Sequence, residues 1–298
     1  MTTETGLLPP PLAASRSDLA DDVAVALDEP AVPKMGVVEA GGIPFATRTW
    51  GDPGGPPILL IHGVTASSRI WWRIGPALAA GLRTHVVAVD QAGHGLTGHW
   101  TGHHRFADNA ADIASFAEAA GLARADLRVV GHSWGGMTAA ALPGVGLAPA
   151  VLVLLDPPAI PVAAIATMLD DPIERHYDDL DEAVLALGRL HPTWPFGDVM
   201  AKAEALTQFD EPAVRAILTG NGDWDGGRAG LSDPAAGGVA TWLIRGDPAS
   251  GGLVPDDEAL RIAEGIGLEH VITIAGGAHA PMRQRPEATV IALLHALA

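Results

Sequence analysis

Short apolar runs alternate with amphipathic segments along most of this chain, and that rhythm is its first readable feature. Residues 58–61, 86–89, 127–130, 150–155, 240–245 and 270–275 are runs rich in Val, Leu, Ile and Ala, each closed by Gly, Asp or His. Uninterrupted apolar runs of this length suit strands buried on both faces, as in a parallel sheet. Between them the apolar positions recur at helical spacing. Residues 68–80 carry Trp71, Trp72 and Leu78, and 106–120 place Ile113, Phe116 and Ala120 on one stripe. Helices at 256–266 and 286–297 follow the later strands. Upstream, 37–50 reads as two strands joined at Gly41-Gly42, and 51–57 is a Gly/Pro turn cluster. The fold class is therefore α/β, a mostly parallel doubly wound sheet.

The alternation stops between Pro157 and about Ala236. There the pattern predicts helices at 162–169, 181–190, 198–209 and 212–218 without buried strands. We read 157–236 as an inserted helical cap, and 36–156 with 237–298 as the body. Residues 1–35 are rich in Pro, Ala and Asp and are expected to form a flexible or loosely docked arm, with a short helix near 17–27 capped by Ser17.

Composition narrows the function classes. A chain of 298 residues with 48% hydrophobic content holds one large domain, and no apolar run approaches the ~20 residues needed to cross a bilayer. The net charge of −17 argues against nucleic acid and anionic membranes as partners. The absence of cysteine excludes disulfides, thiolate nucleophiles and Cys-ligated zinc. The N-terminus has neither a basic n-region nor a long apolar h-region, so a cytoplasmic location is expected. Oligomeric state is not legible.

The chemistry is written at the end of the third long apolar run. Leu127 to Val130 leads into Gly131-His132-Ser133-Trp134-Gly135, and helical sequence follows at once. This is a G-x-S-x-G elbow in its strand–turn–helix context. Its spacing lifts a serine clear of the backbone, with glycines where a Cβ would collide, and points helix N–H groups at the developing charge. From about Val37 onward the chain resembles the α/β-hydrolases. The matching features are His62-Gly63, Asp90…Gly93-His94-Gly95, the elbow, a helical insert and a late Gly276-Gly277-Ala278-His279. The resemblance implies a triad in the order Ser…Asp/Glu…His, with Ser133 as nucleophile and His279 as general base. Its acid usually follows the strand ending at Arg245, but the usual aspartate slot holds Ala249. Asp247 is the nearest carboxylate and is favoured, with Gly251-Gly252 free to turn it inward; Asp156 at the end of the preceding strand is the alternative. The oxyanion hole is expected from the N–H groups of Val64 and Trp134.

On this reading the protein cleaves carboxylic esters of small to medium acyl chain through an acyl-enzyme on Ser133, with a small-molecule ester as partner and no metal or organic cofactor. Two other readings stay open. One is an aminopeptidase of the proline-iminopeptidase kind, with cap carboxylates among Asp170, Asp171, Glu174, Asp178, Asp179, Asp181 and Glu182 holding a substrate amine. The other is a non-catalytic binding protein on the same scaffold. A metal site in the His-rich stretch 93–104 is a minor hypothesis, because no pair there has helical zincin spacing. Trp194, Trp224, Phe196 and Phe209 either line an acyl pocket or pack the cap onto the body.

Overall fold

The computed structural model describes residues 7–98, 100, 102–222, 224 and 230–298. Near its start, Leu12 pairs beside the last strand through Leu12 N–H to Thr273 O (2.7 Å) and Ala275 N–H to Leu12 O (3.0 Å). A short turn, Arg16–Asp18, follows, entered at Ser15 rather than Ser17. Helix α1 (Asp21–Asp28) then buries Val23, Ala24 and Leu27. The arm is thus seated on the body from Leu12 to Leu27.

Strands β1 (Lys34–Ala40) and β2 (Ile43–Gly51) form an antiparallel hairpin. It turns at Gly41 and Gly42, whose φ angles of 57° and 82° favour glycine. After β3 (Pro57–Ile61), the predicted single helix at 68–80 divides into a 3-10 turn, Ser68–Trp71, and α2 (Ile74–Leu82). The buried Asp90 carboxylate takes the Ser68 N–H at 2.6 Å, which holds that turn against the strand ends. The body continues with β4 (His85–Val89), α3 (Phe106–Ala119), β5 (Arg128–His132), α4 (Trp134–Ala141) and β6 (Val151–Leu155).

The insert then runs through α5 (Val162–Ala166), α6 (Leu180–Leu190), α7 (Phe196–Thr207) and α8 (Glu211–Gly220). Helix α7 begins one residue after Pro195 and ends before Phe209, two residues earlier than the sequence suggests at each end. The remainder is α9 (Asp233–Ala236), β7 (Ala240–Gly246), α10 (Asp256–Ile266), β8 (Val271–Ile274), α11 (Pro281–Gln284) and α12 (Pro286–Leu297).

Among the described residues the strands form one eight-stranded sheet in the order β1-β2-β4-β3-β5-β6-β7-β8. The β1–β2 and β2–β4 pairs are antiparallel and the rest are parallel. The period of two along each strand sorts the core into two layers. Leu59, Ile61, Val87, Val129, Leu152 and Leu243 face one side with residues of α3, α4 and α10. Ile58, Leu60, Val86, Val130, Val153 and Ile244 face the other, with α2 and α12. Strand β5 lies between β3 and β6, so the loops after β3, β5 and β6 open on one rim of the sheet. No helix of the described residues is long and apolar enough to cross a membrane.

Candidate active site

Ser133 joins β5 to α4 with φ 56° and ψ −127°, a strained conformation for a residue bearing a Cβ. The flanking glycines are a steric requirement. A Cβ on Gly131 would lie 2.2 Å from the Gly135 carbonyl oxygen, and one on Gly135 would lie 2.4 Å from that of His62. With those approaches available, the turn closes and α4 starts at Trp134. The N–H groups of Gly136 and Met137 close back on the Ser133 carbonyl. The Trp134 N–H, at the first helical position, has no partner within the helix and points out of its positive end.

His279 Nε2 accepts from Ser133 Oγ at 2.9 Å, and His279 Nδ1 donates to Asp156 Oδ2 at 2.7 Å. This corrects the expectation of Asp247. Asp156 is fully buried, and its carboxylate also accepts the N–H groups of Gly246 (2.9 Å) and Leu253 (3.0 Å). Its φ of 44° turns the side chain out of line with β6 towards His279. The glycine-rich loop does the opposite of what its freedom suggested. Gly252 packs against Gly246, so the loop folds back and delivers the Leu253 N–H to Asp156. Asp247 is left to serve its own turn, accepting from Ala249 N–H (3.0 Å) and Gly276 N–H (3.3 Å).

Positive φ outside glycine occurs at Thr65, Arg83, Ser133 and Asp156 among the described residues. Three of those four lie on this rim, where backbone strain sets side-chain direction. Thr65 belongs to the loop after β3. There Gly63 approaches Ser133 so closely that a Cβ would fall 2.8 Å from Ser133 Cβ. Val64, the expected second oxyanion donor, is the next residue and is buried.

The insert holds this loop by a group that the sequence reading passed over. Lys202 of α7 is buried and donates to both the carbonyl and the hydroxyl oxygen of Thr65, each at 3.0 Å. It also forms an ion pair with Glu174, whose carboxylate accepts from the Thr65 hydroxyl at 2.8 Å. Desolvation pulls the Lys202 ammonium down from its ordinary range, while Glu174 opposes that shift. For Glu174, burial alone would raise the carboxyl; Lys202 and Thr65 outweigh it and bring it below its ordinary value. A lysine between Val199 and Leu206 on the buried stripe of a helix was the available signal.

The histidines divide by environment. His132 donates from Nε2 to the His279 carbonyl at 2.8 Å, and its ring lies 5.0 Å from that of His279. Burial first, then the proximity of His279, keeps its pKa well below the ordinary value. It braces the backbone of His279. His62 donates from Nδ1 to the Gly63 carbonyl and accepts the Gln91 N–H on Nε2. Burial pushes its pKa down to about 4, and that of His94 to about 3. Both are neutral anchors for the loops around the oxyanion side. Of the remaining His-rich stretch, His103 pairs with Asp112 at 3.4 Å and His99 lies outside the described residues. No group of three metal-ligating side chains converges among the described residues.

The four aromatic candidates separate as well. Trp224 is buried edge-on to Phe106 and packs insert against body. Phe196 is exposed. Phe209 is buried and lines a cavity of about 70 Å³ together with Thr65, Met168, Leu169 and Val214. Trp194 is partly exposed beneath the guanidinium of Arg283.

Solved structures share this architecture at low sequence identity. An E-2-(acetamidomethylene)succinate hydrolase superposes with a TM-score of 0.74 at 22% identity, covering 89% of this chain and 99% of its own. The esterase RhEst1 from Rhodococcus sp. ECU1013 gives 0.65 at 20%, covering 90% and 100%. A thermophilic esterase from Thermogutta terrifontis gives 0.66 at 19%, covering 88% and 97%. At these identities the likeness speaks for the fold alone. No curated protein sequence matches this chain. The alpha/beta hydrolase family model matches residues 58–293, a span that includes Ser133, Asp156 and His279, and the chain belongs to that family.

Proposed function

We propose that this hydrolase cleaves carboxylic esters of small to medium acyl chain through an acyl-enzyme on Ser133. The observation that carries the reading is the continuous relay Ser133–His279–Asp156, with both links at hydrogen-bond length. His279 Nε2 takes the Ser133 proton as Oγ attacks the ester carbonyl carbon. The N–H groups of Trp134 and Val64 receive the negative charge that forms on the carbonyl oxygen. His279 then protonates the departing alcohol, and a water activated by the same imidazole releases the acid. Asp156 holds the Nδ1–H tautomer and faces the imidazolium that forms in each half-reaction.

Two further features support esters over aminoacyl substrates. The enclosed insert carboxylate beside the oxyanion loop, Glu174, is bonded to Lys202 and Thr65 and so offers no free charge to an ammonium. Asp171 and Asp179 accept N–H groups of their own turns, and Glu182 pairs with Arg175.

The test is turnover of 4-nitrophenyl acetate and butyrate together with labelling by a fluorophosphonate. The expected result is saturable hydrolysis and one adduct, on Ser133. Ser133→Ala should fold with an unchanged melting curve and lose both signals. A Ser133→Ala protein that keeps most of its ester turnover refutes the reading, and absence of any label in wild type favours a binding protein.

A further inference from the structure

Arg283 stands four residues after His279, on the one-turn helix α11, and none of the steps above uses it. Its guanidinium carbon lies 4.8 Å from the centroid of the Trp194 ring. Trp194 in turn stacks on His191, with centroids 3.8 Å apart and planes within 4°. That pair comes from the end of α6 and the loop before α7, so the guanidinium is clasped between body and insert. A stacked aromatic fixes the plane of the fork and leaves its edge N–H groups free to bond.

Those groups are not spent on protein carboxylates. Among the described residues Arg283 Nε is enclosed without a hydrogen-bond partner, while the residue as a whole stays partly exposed. Glu174 and Asp198 are its acidic neighbours. Glu174 is bonded to Lys202 and Thr65. Asp198 accepts from Trp72 Nε1 at 2.9 Å through Oδ1. Its buried Oδ2 has no hydrogen-bond partner among the described residues and lies 3.8 Å from Arg73, so Asp198 balances the Arg283 charge without a hydrogen bond to it. Desolvation lowers the Arg283 pKa, yet an arginine stays charged in proteins. His132, which contacts His279, feels the Arg283 charge, as does Lys202. A charged fork held against an indole, four residues on from His279, is a receptor for a planar anion.

We propose that Arg283 binds a carboxylate of the substrate, so that this site prefers esters carrying a free carboxylate near the scissile bond. The inference rests on the serine-hydrolase reading for the reaction, but not for the binding of the anion. The geometry matches a bidentate carboxylate: the fork is planar and is backed by an indole, on the short helix that follows the His279 turn. The net charge of −17 repels anions at long range, so such a substrate needs a dedicated cation at close range.

The test compares matched pairs that differ only in charge. On the acyl side, mono-(4-nitrophenyl) glutarate is set against its methyl ester; on the alcohol side, 4-acetoxybenzoate is set against its methyl ester. In wild type the anionic member of at least one pair should lead in kcat/KM by about ten- to a hundredfold, the worth of a hydrogen-bonded ion contact. Arg283→Gln should bring that ratio close to one, and Arg283→Lys should keep part of it. Should Arg283→Gln fail to fold, Trp194→Leu removes the platform and should lower the same ratio. A wild-type ratio at or below one in both pairs overturns the proposal, as does a ratio that survives Arg283→Gln. Glutarate binding by calorimetry decides the anion site independently of turnover. Binding lost in Arg283→Gln supports it even if the serine mechanism fails, and equal or absent binding in both proteins rejects it.

Discussion

Replacing Asp156 by Asn tests the relay where sequence and structure part company. The wild-type carboxylate receives three N–H donors, from His279 (2.7 Å), Gly246 (2.9 Å) and Leu253 (3.0 Å), with no exposure to water. Asn offers one acceptor oxygen and an NH₂ group, so at least one of these donors meets another donor. Hydrogen bonds to a charged group are worth about 1.5–3 kcal/mol each, and losing one or two predicts a destabilisation of roughly 2–4 kcal/mol. The catalytic cost is separate. An imidazolium facing a carboxylate at about 4 Å between charges gains about 4 kcal/mol at an effective dielectric constant near 20. At 1.36 kcal/mol per tenfold, kcat falls by about a thousandfold, before any cost of the wrong tautomer is added. Asp247→Asn is the matched control. Asn caps a turn as well as Asp, so kcat should change by less than about threefold and the melting temperature should hardly move. The assay is kcat on saturating 4-nitrophenyl butyrate at a temperature where melting curves show both variants folded. A thousandfold loss in Asp247→Asn with Asp156→Asn within tenfold of wild type would refute the assignment. Equal, mild losses would show that neither carboxylate supports the imidazole.

Two other predictions follow from buried groups. Lys202→Met cuts the strap on the strained Thr65 and leaves the partly buried Glu174 without its cation. We expect kcat to fall about ten- to a hundredfold through the loosened oxyanion loop, with a clear drop in melting temperature. Lys202→Met/Glu174→Gln should recover melting temperature without recovering kcat, and recovery of both would make the pair a purely structural one. The second concerns pH. His62 is held near 4 and His94 near 3 in the folded protein, against an ordinary 6.5. Both folded values are depressed, so the stability they reflect is complete above about pH 6.5. It is lost as pH falls towards 4 and 3, because the unfolded chain takes up protons that the folded chain refuses. For His62 alone the loss between pH 6.5 and 4 is roughly 3 kcal/mol. Denaturant midpoints measured from pH 7.5 to 4.5 should fall throughout this window, and a flat profile would contradict neutral burial.

The order of elements and the identities of Ser133 and His279 as partners were legible because each is fixed by local sequence. Buried parallel strands need continuous apolar runs, and an elbow needs glycines beside its serine whatever lies elsewhere in the chain. The N–H of Trp134 follows from the same turn. Element ends were less legible. The single helix expected over 68–80 divides into Ser68–Trp71 and Ile74–Leu82.

The acid, the strap and the exposed fork belong to tertiary structure. Asp156 and Asp247 both follow strands, and no local feature says which side chain reaches an imidazole on a distant turn. That choice was made by the loop after β7, which folds over Gly246 and gives Leu253 N–H to Asp156. Lys202, Glu174 and Thr65 meet across 28 and 137 residues of sequence. The Arg283 guanidinium meets Trp194 across 89 residues of sequence, a pairing that neither local stretch specifies. Sequence dictates which residues are able to do chemistry, because that depends on a few neighbours. Which of them face each other depends on long-range packing, and a single chain read by itself does not record it.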